Sequence, residues 1–270
     1  MRKIVHISDL HFGAADAVVA ERLAESINEN APDLVIVSGD LTQRAKTAEF
    51  KAARAFLDLL PQPQLVVPGN HDVPLYNVYD RFTHPLEKYT ANITAGLEPF
   101  ISDGEIAVAG INTTRSMTIK GGRINPEQVA RLRAKMANFG EGVLKVVVTH
   151  HPFDVPEGED ESDIVGRADE ALPLIARSGA DVFLAGHLHK SHIGHSARRY
   201  KMDDGYSALI IQAGTATSVR ERGEDNAFNI LEFDHPLLTV HRYLCTISSE
   251  GFKLAATEQF THTTKGWSRM

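Results

Sequence analysis

Short runs of Val, Ile and Leu punctuate the chain at Ile4–Ile7, Leu34–Val37, Leu65–Val67, Ile106–Ile111, Val143–Val148 and Val182–Leu184. Each has the length of a buried strand. Between the first three the apolar period changes. Ala17–Asn30 brings Val18, Leu23 and Ile27 near one face, and Lys46–Leu60 does the same with Phe50, Ala53, Phe56, Leu57 and Leu60. Strand–helix–strand alternation predicts parallel strands joined by crossover helices. A third helix is expected from Pro126, with Asn125 as its cap and Val129, Leu132 and Met136 facing inward, because proline suits the first helical turn, where its missing N–H is not needed. A fourth is expected over Asp169–Arg177 in spite of Pro173.

After about residue 190 the pattern turns to strand-like pieces without long helices: Ala208–Gln212, Phe228–Phe233, Leu238–Leu244 and Phe252–Ala255. These predict a second sheet against the first, with the helices outside. No repeat or Ser/Gly linker divides the chain, so a single domain over residues 1–260 is expected, followed by a loosely held polar tail at 261–270.

Composition narrows the class. The 28 Lys and Arg against 35 Asp and Glu give a net charge of −7, with 43% hydrophobic residues, an ordinary globular balance that excludes a disordered or fibrous chain. One cysteine, Cys245, rules out an intrachain disulfide and a multi-cysteine zinc site, and points to a reducing, cytoplasmic setting. His6 and Asp9 interrupt the apolar run that an export signal requires, and no stretch reaches the roughly 18 apolar residues of a membrane span. The acidic balance, with no Lys/Arg block, argues against a nucleic-acid partner.

The chemistry collects where predicted strands end. Ile4–Ile7 runs into Ser8-Asp9-Leu10-His11, Leu34–Val37 into Ser38-Gly39-Asp40, and Leu65–Val67 into Gly69-Asn70-His71-Asp72. Val143–Val148 runs into Thr149-His150-His151-Pro152, and Val182–Leu184 into Gly186-His187-Leu188-His189. Singly, an Asp-x-His reads as a capped turn and a Gly-Asp is nearly uninformative. Together they place six of the 13 histidines at one edge of a sheet, which packing does not predict. Carboxylate and imidazole donors without thiolate suit Mn²⁺, Fe, Co²⁺ or Zn²⁺. Some seven ligands are too many for one ion. They fit two, roughly 3.5–4 Å apart and sharing a carboxylate, whose bridging water ionises readily and attacks phosphorus in line.

Asp-x-His, Gly-Asp, Gly-Asn-His-Asp, His-His-Pro and Gly-His-x-His, in this order from Asp9 to His189, resemble the five blocks of the calcineurin-like metallophosphoesterases. The resemblance implies an α/β four-layer sandwich, two mixed β-sheets flanked by helices, with a dinuclear site at the strand ends. Carried over, Asp9, His11 and His189 would hold one divalent ion, Asn70, His150 and His187 the other, and Asp40 would bridge them, with Mn or Fe favoured and Zn or Co as alternatives. His71 would protonate the leaving oxygen or steady the charge on phosphorus, with Asp72 orienting it. Choosing His150 over His151 follows the family's habit.

Gln43 stands where purple acid phosphatases carry a tyrosine ligand, His71 where lipid-A-pathway pyrophosphatases usually carry arginine, and Asp72 where protein phosphatases of the calcineurin type have glutamate. The pattern is most similar to bacterial class III cyclic-nucleotide and glycerophosphodiester phosphodiesterases. Gln212–Thr217, with Asn229, resembles a C-terminal block of many bacterial members. The expected activity is hydrolysis of a small phosphodiester such as a cyclic nucleotide. The alternatives are a glycerophosphodiesterase, a broad phosphomonoesterase, a DNA nuclease and a non-catalytic scaffold, and a homo-oligomer is left open. Arg44, Arg115, Arg220 and Arg222 are candidates to meet a substrate phosphate. The acidic run Glu157–Asp163 reads as a solvated loop, with a place at the pocket rim, disfavouring monoesters, as its functional reading.

Overall fold

The computed structural model describes residues 1–202, 205–218, 224–246 and 250–270. Its first three strands are β1 (Arg2–Ile7), β2 (Leu34–Ser38) and β3 (Gln64–Val67), parallel and in the order β1-β2-β3. They are joined by α1 (Ala17–Asn30) and α2 (Thr47–Leu57). The side chains divide by parity. Val5, Ile7, Val35 and Val37 pack under the helices with Leu23, Ile27, Phe50 and Leu57, while Ile4, Leu34 and Ile36 face the opposite way into a second apolar layer. Asp16 caps α1 through its carboxylate, which accepts from the amides of Val18 and Val19. Two short helices, α3 (Val78–Thr83) and α4 (Glu87–Asn92), follow β3.

A second sheet lies across that layer. It is built from β4 (Phe100–Ser102), β5 (Ile106–Gly110), β6 (Leu144–Val148), β7 (Val182–Ala185), β8 (His192–His195) and β9 (Leu209–Gln212), in the order β4-β5-β6-β7-β9-β8. Val108, Val146, Val148 and Leu184 meet Ile4, Ile36 and Leu65 between the sheets. On the outer face, Ala107, Val147 and Phe183 are covered by Val129, Leu132 and Met136 of α5 (Pro126–Met136) and by Leu172 and Ile175 of α6 (Ala168–Ala176). Helix, sheet, sheet and helix form four layers.

The late strands correct the sequence reading. β9 joins the second sheet, but β10 (Asn226–Asp234), β11 (Leu237–Cys245), β12 (Lys253–Thr263) and β13 (Gly266–Arg269) extend the first, which runs β13-β12-β11-β10-β1-β2-β3. The cause lies in β1, whose residues from Ile4 to Ile7 are all buried. A strand covered on both faces needs a neighbour on each edge to satisfy its amides and carbonyls. β2 takes one edge and β10 the other, antiparallel.

Residues 261–270 are likewise not a loose tail. They complete β12 and form β13, and Trp267 is 3% exposed, donating from Nε1 to Asp181 Oδ1 at 3.2 Å. Phe260 and Trp267 are seven residues apart in an otherwise polar stretch, too sparse to register as a strand pattern. Among the described residues no helix is long and apolar enough to cross a membrane.

Truncating Trp267 to Ala should therefore cost about 3–5 kcal/mol in urea denaturation, where an unstructured tail would show no loss. His6 gives a second expectation. It is fully buried, its Nε2 bonds Ser38 Oγ at 2.9 Å, and burial pushes its pKa down to about 3. A folded pKa below the unfolded 6.5 means stability that is present in full above pH 6.5 and lost as pH falls, by about 1.4 kcal/mol per unit. Comparing wild type with His6→Gln at pH 7 and pH 5 should show the shallower loss in the variant.

Candidate metal centre

Each block leaves the C-terminal end of a strand: Asp9 and His11 after β1, Asp40 after β2, Asn70, His71 and Asp72 after β3, His150 after β6, and His187 and His189 after β7. Both packed sheets present the C-terminal ends of their parallel strands here, and the chain turns sharply as it leaves them. Asp9, His11, Asp40, His187 and His189 have φ of 55°, 48°, 52°, 76° and 58°, a left-handed region that non-glycine residues rarely enter. Two glycines permit the close approach. A Cβ on Gly69 would lie 2.1 Å from Asp40 Oδ1, and one on Gly186 would lie 1.8 Å from Ser8 Oγ. Behind β1, Thr215 Oγ1 donates to the Asp9 carbonyl at 2.9 Å and Thr217 Oγ1 to that of Leu10 at 2.5 Å, so the Gln212–Thr217 block braces the first turn.

The polar atoms converge in two groups. In one, His11 Nε2 and His189 Nε2 are 3.0 Å apart and lie 3.6 and 3.3 Å from Asp9 Oδ1. In the other, Asn70 Oδ1 is 3.0 Å from His150 Nε2 and 3.1 Å from His187 Nδ1. Asp40 stands between, its Oδ2 3.8 Å from His11 Nε2 and 3.4 Å from His150 Nε2, while its Oδ1 accepts from the His71 amide at 2.8 Å. Burial pushes the Asp40 carboxyl up, but His150, with His71 and His11, outweighs it and holds the group far below the usual carboxylate range. Burial lowers His150, and Asp40 overrides this to carry it up to about 9.

Asp9 is also held ionised. Burial opposes its charge, and His189, His11 and His150 overcome that penalty. Yet its Oδ1 is buried and accepts no hydrogen bond. Two imidazole nitrogens 3.0 Å apart share at most one proton between them. An orphaned carboxylate oxygen facing such a pair is the donor set a divalent cation satisfies, and the residues fit one. Ligand atoms of Asp9, His11 and His189 lie within 4.8 Å of one another, as do those of Asp9, Asp40 and His150, and both sets could hold a metal.

His151 falls in a similar cluster with His150 and His187, but its nitrogens are spent. Thr113 Oγ1 lies 2.7 Å from Nδ1, and Nε2 donates to the Lys120 carbonyl at 2.6 Å. His150 instead donates from Nδ1 to the Ser38 carbonyl at 2.8 Å, which turns Nε2 into the site.

His71 is half-buried at the edge, with its ring 4.9 Å from that of His11. Its orientation departs from the sequence expectation. Nδ1 donates to the carbonyl of Gln43 at 2.9 Å, so Gln43 holds the ring. Asp72 is occupied elsewhere: it accepts from the amides of Leu41, Thr42 and Gly69 and from Thr42 Oγ1, clamping the turn that carries Asp40 to the turn that carries His71. Burial and the Asp40 charge push its pKa up to about 6. Gln43 stood out in the sequence only as a missing tyrosine; its carbonyl, being backbone, left no signature.

The acidic run lies against residues 187–199. Glu157 pairs with Arg198 at 3.2 Å, Glu159 with Lys190, and Glu161 with Arg199 at 2.9 Å, while Asp163 Oδ1 reaches 3.4 Å from His187 Nε2. The run thus borders the site and is in large part neutralised. Of the arginines, Arg115 is bound to the Asn112 and Thr114 carbonyls and to Gln128, and Arg44 lies over the Tyr76 ring at 5.7 Å. Arg220 and Arg222 lie outside the described residues.

A family model for the calcineurin-like phosphoesterases matches residues 2–191. The chain belongs to that family. It is 26% identical over 200 residues to glycerophosphodiester phosphodiesterase GpdQ of Enterobacter lignolyticus, covering 69% of this chain and 70% of that protein. It is 25% identical over 207 residues to a probable cyclic nucleotide phosphodiesterase of Synechococcus, covering 70% and 74%. Among solved structures it resembles a purple acid phosphatase from yellow lupin, with a TM-score of 0.70, 13% identity and 96% of this chain covered. The chain spans 53% of that enzyme's length, and the likeness is one of fold.

The clamp formed by Asp72 predicts a structural phenotype. Asp72→Ala leaves three buried amides unpaired, at about 1–3 kcal/mol each, and should lower stability by at least about 3 kcal/mol in urea denaturation. Asp72→Asn, which keeps one acceptor oxygen, should lose less.

Proposed function

We propose that this phosphoesterase is a metal-dependent hydrolase of small phosphodiesters, with a cyclic nucleotide ahead of a glycerophosphodiester. The observation that carries the reading is Asp40: one oxygen, Oδ2, faces both His11 and His150 and so stands between the two groups of donors. In this reading Asp9, His11 and His189 hold one divalent ion, Asn70, His150 and His187 the other, and Asp40 spans them. When bound, such a pair supplies Lewis acidity and an acidified water for attack on phosphorus. The mixed oxygen and nitrogen donors suit Mn or Fe, with Zn or Co as alternatives.

The protein's own part in the chemistry falls to His71. With Nδ1–H committed to the Gln43 carbonyl, Nε2 is the atom left to face the substrate. It gives a proton to the departing alkoxide or, when protonated, steadies charge on phosphorus. The Gln43 carbonyl holds the ring still and so fixes the direction in which Nε2 points. The names of the two bacterial relatives support a diester over a monoester.

Asp40→Ala should lose both metals and activity together. His71→Ala should retain both metals by elemental analysis while kcat on a diester with a poor leaving group falls roughly 10²–10⁴-fold, and should fall less with bis-p-nitrophenyl phosphate. Equal losses on both substrates would assign His71 to charge stabilisation alone. A wild-type enzyme that cleaves p-nitrophenyl phosphate faster than its bis ester would replace the diesterase reading with a broad phosphomonoesterase.

A further inference from the structure

A cavity of about 470 Å³ opens between the loops that follow β3 and β5, the first of which carries Asn70 and His71. These strands face each other across the two packed sheets, close enough that a Cβ on Gly110 at the end of β5 would strike Val67 at the end of β3. In α/β folds, ligands collect at this carboxyl edge. The loops after β3 and β5 form its walls. Val73 lies two residues beyond His71, and Asn112 and Thr114 flank Thr113, which bonds His151. Leu86 and Thr90 close the far side.

The cavity is built rather than incidental. Arg81, only 6% exposed, donates from Nη1 to the Pro74 carbonyl at 3.0 Å, from Nε to that of Ser116 at 2.8 Å and from Nη2 to that of Thr118. It pins the loop after His71 to the loop after β5. Arg115 is spent on backbone carbonyls and Gln128. Neither guanidinium is offered to a ligand, and the ionisable groups of the lining are His84 and Glu87. Such a lining does not suit a second phosphate, which calls for Lys or Arg. Apolar Val73 and Leu86 with the amide of Asn112 and the hydroxyl of Ser116 suit an uncharged ring system bearing hydroxyls and amines. The volume lies within the small-molecule range of about 300–1,000 Å³ and is generous for glycerol.

We propose that this cavity is the subsite for the organic substituent of the phosphodiester, a group of nucleoside size, placed beside His71 as the phosphate meets the metals. The proposal rests on the phosphodiesterase reading, but binding can be measured apart from it. Adenosine, which carries no phosphate, should give saturation-transfer NMR signals on the metal-loaded wild-type protein. Ser116→Phe and Thr90→Phe fill the cavity from two different walls, so one remains informative if the other fails to fold. Each should weaken adenosine binding at least roughly tenfold and lower kcat/KM for cyclic AMP relative to methyl p-nitrophenyl phosphate by a similar factor. Metal content should stay unchanged. Adenosine that fails to bind wild type, or that binds both variants as tightly as wild type, overturns the proposal, as does an unchanged substrate ratio. Failure of the wild-type enzyme to cleave any diester overturns the reaction assigned above instead, a result that adenosine binding would not produce.

Discussion

One buried carboxylate, Asp40, ties the working end of this molecule together. Its carbonyl accepts from the His11 amide at 2.9 Å, its Oδ1 from the His71 amide, and its Oδ2 faces His11 and His150. Four strand ends, from both sheets, meet on one residue. A carboxylate at 1% exposure costs several kcal/mol to desolvate unless opposite charge and donors surround it. The surrounding turns are shaped to supply them, and the absence of a side chain at Gly69 lets the backbone come close enough.

This arrangement is strained, and the strain is carried by packing elsewhere. Five non-glycine residues in the left-handed region stand at some cost each, and they persist because rigid structure over-determines them. Two sheets pressed together through Ile4, Ile36, Val146, Val148 and Leu184 provide that rigidity directly beneath the turns. Thr215 and Thr217 hold the first turn from behind, and Asp72 holds the second to the third. The late antiparallel strands contribute indirectly: by covering the open edge of β1, β10 keeps the strand that presents Asp9 and His11 in register.

What could be read in the sequence follows the range of the interaction concerned. α1, with Asp16 as its cap, is local, and its limits matched the apolar period. The five blocks were legible because each combines strand, turn and donor within a few residues. The placement of β10–β13 was not, since it depends on which edge of β1 lacks a neighbour, a question of the assembled sheet. His71 is legible as a candidate, but its holder is not: Asp72 is adjacent in sequence, whereas the group that reaches Nδ1 is a carbonyl 28 residues away. Trp267 is not legible because a strand with one buried face and sparse large residues has little periodic signal.

The acidic run shows how charge read as solvent-facing can serve the interior. Exposed ion pairs are worth little singly, about 0–1 kcal/mol, and Glu157 with Arg198 is of that kind. Linked to the Arg199 pairs with Asp154 and Glu161, they fasten residues 154–163 along the segment that follows β7. The end so fixed carries Asp163 to the Nε2 side of His187, while Nδ1 faces Asn70. A carboxylate on one imidazole nitrogen settles which nitrogen holds the proton and leaves the other as an acceptor. The strap therefore places a carboxylate against the Nε2 side of a proposed ligand from outside the site.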